Sequence, residues 1–154
     1  MPAGISLRAR AAAAIVPMVI LAAAGCGGPK MAPEVSGTVT MGGHPLEGVV
    51  VTFYPVTEGR DGLPFSKGTT DAAGHYTLTL PDGKPGAVVG QSRVVVNWPP
   101  RERTDTPATQ PKRPVQPFIP VRYTVATETP LIYEVKAGTA QVIDLALDPN
   151  LPPP

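Results

Sequence analysis

Proline and glycine recur so often in this chain that a long-helix fold is excluded. There are 21 Pro and 16 Gly among 154 residues, about a quarter of the chain and roughly double the usual share. Proline removes a backbone donor and clashes inside a helix, and glycine weakens one through backbone entropy. The chain is nevertheless 42% hydrophobic with a formal net charge of +1. That balance excludes wholesale disorder and leaves no electrostatic footprint for nucleic acid. A single cysteine, Cys26, excludes an internal disulfide framework. The expectation is one small β-rich domain with flexible additions.

Residues 1–25 read as an export signal. Arg8 and Arg10 are the only charges before Lys30, and Ala11 to Ala24 is an apolar run of fourteen residues. A basic start, an apolar stretch and small residues at its end form the pattern of a secretory signal. A run this short falls below the ~20 residues a membrane-spanning helix needs. Leu21-Ala22-Ala23-Ala24-Gly25-Cys26 then resembles the lipobox of bacterial lipoproteins. The resemblance implies cleavage before Cys26 and acylation of Cys26. Because Gly27 stands where an inner-membrane retention signal has Asp, it also implies an outer-membrane destination. The cysteine sulfur would then be a thioether, so an unpaired Cys in an exported chain needs no partner.

Loss of Arg8 and Arg10 takes the 13 basic residues to 11 against 12 acidic ones, a net charge of −1. No basic run remains for lipid headgroups, so the acyl chains are expected to supply the anchoring. Residues 26–33 read as a tether.

From Glu34 the hydrophobic pattern has period 2, the signature of half-buried strands. Seven short strands are expected. Val35–Met41 and Val49–Tyr54 flank the turn residues Gly42-Gly43-His44-Pro45. Ser66–Thr70 reads as an edge strand and Tyr76–Leu80 follows the tight turn Asp71-Ala72-Ala73-Gly74. The most apolar run, Arg93–Trp98, suits the middle of a sheet, and Leu131–Val135 and Ala140–Leu147 complete the set. Residues 99–120 contain seven Pro and read as an exposed insertion, because compact domains rarely hold a structureless loop of that length. Residues 149–154 read as a frayed tail. Turn signals between strands outside the insertion point to an all-β sandwich over residues 34–148.

Two motifs carry a family resemblance. Val35-Ser36-Gly37-Thr38-Val39-Thr40, then Gly43-His44-Pro45-Leu46-Glu47-Gly48-Val49, then Val51-Thr52-Phe53 resembles the opening of carboxypeptidase-regulatory-like domains. Thr70-Asp71-Ala72-Ala73-Gly74-His75-Tyr76 is similar to that family's second signature, T-D-x-x-G-x-[YF]. The resemblance implies a seven-stranded, transthyretin-like (prealbumin-like) Greek-key sandwich. The motifs also have a purely structural reading: Gly37 permits a close approach, Asp71 can accept N–H groups of its own turn, and Tyr76 supplies core surface.

No catalytic, cofactor or metal site is expected. His44 and His75 are the only histidines, without the spacing of a zinc peptidase. Hydroxyisourate hydrolases share the implied fold but close on Tyr-Arg-Gly-Ser, whereas this chain closes on Asn150-Leu151-Pro152-Pro153-Pro154. The paired H-x-H of intradiol dioxygenases is also missing. In Asp71-Ala72-Ala73-Gly74 two alanines occupy positions where a calcium loop needs oxygen ligands. Tyr54, Trp98, Tyr123 and Tyr133 could line a carbohydrate-binding face, although strand aromatics are more often core. The expectation is therefore a non-catalytic, lipid-anchored cell-envelope module that is structural or contacts an envelope protein. The alternative is a module for a glycan or small ligand, which a cluster of exposed aromatics on one sheet face would favour.

Overall fold

A computed structural model describes residues 29–56, 62–100 and 116–152. The signal segment, Cys26 and most of the Pro-rich insertion lie outside these residues. The described chain is all-β apart from one 3₁₀ turn, Val121–Tyr123. Its strands are β1 (Met31–Ala32), β2 (Val35–Met41), β3 (His44–Pro45), β4 (Val50–Pro55), β5 (Ser66–Thr69) and β6 (His75–Thr77). They continue as β7 (Ala87–Val88), β8 (Gly90–Asn97), β9 (Ile132–Val135), β10 (Gln141–Val142) and β11 (Leu145–Leu147). Alternation led to an expectation of seven strands, and eleven are present among the described residues. The two-residue ladders β1, β3 and β7 are too short to show a period, and the last expected strand is broken in two.

One sheet has the order β5-β4-β8-β9, antiparallel throughout. The valine-rich β8 is central and β5 terminal, as their sequences suggested. In the other sheet β2 is flanked by β6 on one side and by β10 and β11, both parallel to it, on the other. The last strands of the chain thus pair with one of the first. Inward residues of both sheets form one core: Val35, Val39, Leu145 and Leu147 meet Val51, Phe53, Val94 and Val96. The Phe53 and Tyr76 rings, one from each sheet, lie 6.4 Å apart. Full burial of one such aliphatic side chain stabilises by about 1.5–3 kcal/mol.

The sheets are joined at an edge. Beyond β6 the chain crosses to the other sheet, and Thr79 and Lys67 exchange backbone hydrogen bonds of 2.8 and 2.9 Å. At the opposite edge, Gln141 uses its side-chain amide as a strand would use its backbone. It accepts from Lys136 N–H at 2.9 Å and donates to the Lys136 carbonyl at 2.8 Å.

Two boundaries differ from the sequence reading. Lys30–Ala32 belongs to the fold and not to a free tether, because β1 pairs with β7. Ile119 and Pro120, inside the range assigned to the insertion, are buried, and Ile119 is a core residue together with Tyr123. Apolar side chains at the end of the Pro-rich stretch outweigh its composition.

Ser66 is buried in this core and its Oγ has no hydrogen-bond partner among the described residues. Replacing it by alanine removes an unsatisfied hydroxyl at little cost in volume. Ser66→Ala is expected to leave stability unchanged or raise it by up to about 1 kcal/mol, read from a urea unfolding midpoint.

Candidate functional site

The two sequence motifs meet in space. Gly37 of the first lies directly across from Tyr76 of the second in the β2–β6 ladder. A Cβ on Gly37 would overlap the Ile143 carbonyl and press on the Tyr76 ring. Glycine here is a requirement of close approach. The gap between β10 and β11 sits over this position. Ile143 N–H donates to the Ser36 carbonyl at 2.7 Å, while its own carbonyl accepts from the Tyr76 hydroxyl at 2.6 Å. One residue on, the Asp144 carboxylate accepts the Thr38 N–H at 2.8 Å. Side chains thus replace backbone partners across the break, so the register is the same on both sides of it.

The junction collects Tyr76, Tyr133 and Asp144. Burial, then Tyr133 and the Asp144 carboxylate, push the Tyr76 phenol well above its ordinary value. Burial, then Asp144 and Tyr123, raise Tyr133 as well. Both phenols are therefore neutral hydrogen-bonding groups at physiological pH. A folded-state value above the unfolded one means the contribution is complete below about pH 10 and is lost as pH rises through the folded value. Unfolding free energy should fall in alkaline solution above that point. Tyr76→Phe should flatten the fall, and an equally steep fall in that variant would remove Tyr76 as its source.

The other singled-out residues are dispersed. Asp71 Oδ1 accepts from Ala73 and His75 N–H groups, both at 2.9 Å, so it is spent on its own turn. His75 Nδ1 lies 3.9 Å from Asp71 Oδ2 on the surface, and His44 is exposed in β3. Among the described residues no three His, Cys, Asp or Glu side chains converge. The four aromatics go to four settings. Tyr123 is buried and its hydroxyl accepts the Asp148 N–H at 2.9 Å. Tyr133 reaches the Asp144 carbonyl at 3.4 Å. Tyr54 is 40% exposed, with its ring 5.9 Å from Phe65. Trp98 is half-buried at the start of the Pro-rich stretch.

Trp98 shapes an open concavity that the sequence patterns did not point to. Its Nε1 donates to the Pro117 carbonyl at 3.1 Å, clasping the residue before the Pro-rich stretch to one near its end. Asn97 Nδ2 donates to the Thr124 carbonyl at 3.4 Å beside it. The resulting groove, about 460 Å³, is walled by Asn97, Trp98, Gln116, Pro117, Phe118 and Thr124. Phe118 is 74% exposed at its rim. Among the described residues no charged side chain lines the groove; they offer shape and apolar surface with a few amides and carbonyls. Cys26 lies outside the described residues.

Comparison with protein-family models, curated proteins and solved structures finds no match to this chain.

Proposed function

We propose that the protein is a non-catalytic module of the bacterial cell envelope, anchored by acyl chains on Cys26 and acting through protein contacts. The fold we assign to it is the transthyretin-like, Greek-key sandwich of the carboxypeptidase-regulatory-like domains it resembles. The observation that carries the non-catalytic reading is the commitment of the motif residues. Gly37, Asp71 and Tyr76 each serve the backbone of this same chain, which makes the motifs a signature of folding. Dispersal of Tyr54, Trp98, Tyr123 and Tyr133 favours a protein partner over a glycan, since stacking on a sugar needs aromatics on one face. The groove beside Trp98 and Phe118 is the contact surface we favour: concave, largely uncharged, and rimmed by an exposed aromatic of the type that anchors protein interfaces.

Acylation has a direct test. A labelled fatty acid fed to an expressing bacterium should mark the wild-type protein and leave Cys26→Ser unmarked and released from membranes. A wild-type protein found unlabelled in the soluble fraction would end the lipoprotein reading. A photo-crosslinker placed at Phe118 should capture a protein, and capture should fail in Trp98→Ala. Retention on a glycan column that depends on Tyr54 and Phe65, with no crosslink, would favour the ligand-binding alternative.

A further inference from the structure

The chain joins the fold at one end of the molecule, and the strand registers identify which end. β2 begins there at Val35, next to Gln141 of β10. Thr79, bridged to both Lys67 and Pro85, brings the turn 81–85 to the same end. Val135 paired with Gly90 brings the turn 136–140. Asn97 pairs with Val50 at the opposite end, where Met41 pairs with His44 and Leu147. The Trp98–Phe118 groove therefore lies a strand's length from the N-terminal attachment. Along the eight residues of β8 that length is about 23 Å.

Attachment is rigid from Lys30 onward. Val89 N–H donates to the Lys30 carbonyl at 2.8 Å, and Met31 and Ala32 pair with Val88 and Ala87. Ala32 is fully buried. Its carbonyl occupies the space a Cβ on Gly86 would need, and Gly86 has φ of 118°, so only glycine suits that position. Gly27, Gly28 and Pro29 alone separate Cys26 from Lys30. Fully extended, that connection spans at most ~14 Å, of which a headgroup layer of roughly 5–8 Å takes about half. The remaining gap is too short for the domain to turn its far end to the membrane.

Lys30, Lys84 and Lys136 are exposed at this end beside Glu34, Asp82 and Glu134, and Lys84 is paired with Asp82 at 2.8 Å. Lys67 stands further along, on β5 opposite Thr52, which in turn pairs with Val95. Attachment geometry, and not charge, thus distinguishes the two ends.

We infer that the acyl anchor holds the sandwich upright on the bilayer, with its N-terminal attachment end against the headgroups and the Trp98–Phe118 groove facing outward. The inference rests on the acylation of Cys26 proposed above and adds an orientation to it. The full-length acylated protein can be reconstituted into vesicles of phosphatidylethanolamine and phosphatidylglycerol containing a headgroup quencher. A fluorophore on Ala137→Cys, at the attachment end, should be quenched, and one on Glu47→Cys, at the far end, should not. A Gly-Ser linker of about 20 residues between Gly28 and Pro29, spanning ~25 Å, should abolish the contrast. Equal signals at the two sites, in protein whose mass shows the acyl chains, would overturn the orientation and leave acylation standing. A mass without acyl chains would overturn both.

Discussion

Gly37→Ala should unfold at a much lower urea concentration than the parent when residues 27–154 are compared, with a loss of about 3 kcal/mol or more. The added methyl would overlap the Ile143 carbonyl, a backbone group that cannot swing aside. Displacing that carbonyl also breaks its hydrogen bond from Tyr76 and pulls on the neighbouring Asp144–Thr38 contact. Tyr76→Phe provides the comparison, because it deletes the hydroxyl and keeps the ring. Its expected cost is only about 1–2 kcal/mol. Since both changes act on one carbonyl, the double variant should lose less than the two singles added together. A Gly37→Ala protein as stable as the parent would mean that the carbonyl does not sit over this glycine.

Val96→Asp should be the second severe lesion, costing on the order of 4 kcal/mol. Val96 is fully buried in the central strand β8, opposite Val51 of β4, and belongs to the hydrophobic core. That loss is a large share of the 5–15 kcal/mol that stabilises an ordinary domain. Val96→Thr, which adds a hydroxyl to the same shape, should cost less than the aspartate. Part of the aspartate penalty should return as pH is lowered, because a protonated carboxyl is cheaper to bury than a carboxylate. A midpoint within error of the parent would take β8 out of the core.

The long elements were legible because burial on one face imposes alternation. Val35–Met41 was bounded as observed, and Val94 to Val96 announced a central strand through three consecutive apolar residues. Elements whose partners lie far away in sequence were not legible. β1 and β7 have two residues each, so no period could reveal them, yet their pairing fixes where the fold begins. The break between Val142 and Leu145 left no mark in the alternation of Ile143, Leu145 and Leu147, all buried as expected. It depends on Gly37 and Tyr76, more than sixty residues away by the span of the Tyr76–Ile143 bond. For the same reason the Trp98 groove was hidden. It is made where the Pro-rich stretch returns, and composition alone could mark that stretch only as loop. The Gly and Asp motifs were readable as turn and packing residues, and the structure uses Gly37, Asp71 and Tyr76 in those ways.

Pairing of the last strands with β2 has a consequence for the order of events during synthesis. β2 receives β6 early, but its other side stays bare until Gln141–Leu147 has been made. Gln141 pairs with Val35, so the hundred or so residues between them are translated before the sheet can close. Contacts of such large sequence separation also form slowly once both partners are present. The half-made sheet around β2 therefore stays open on one side of that strand until this distant segment arrives.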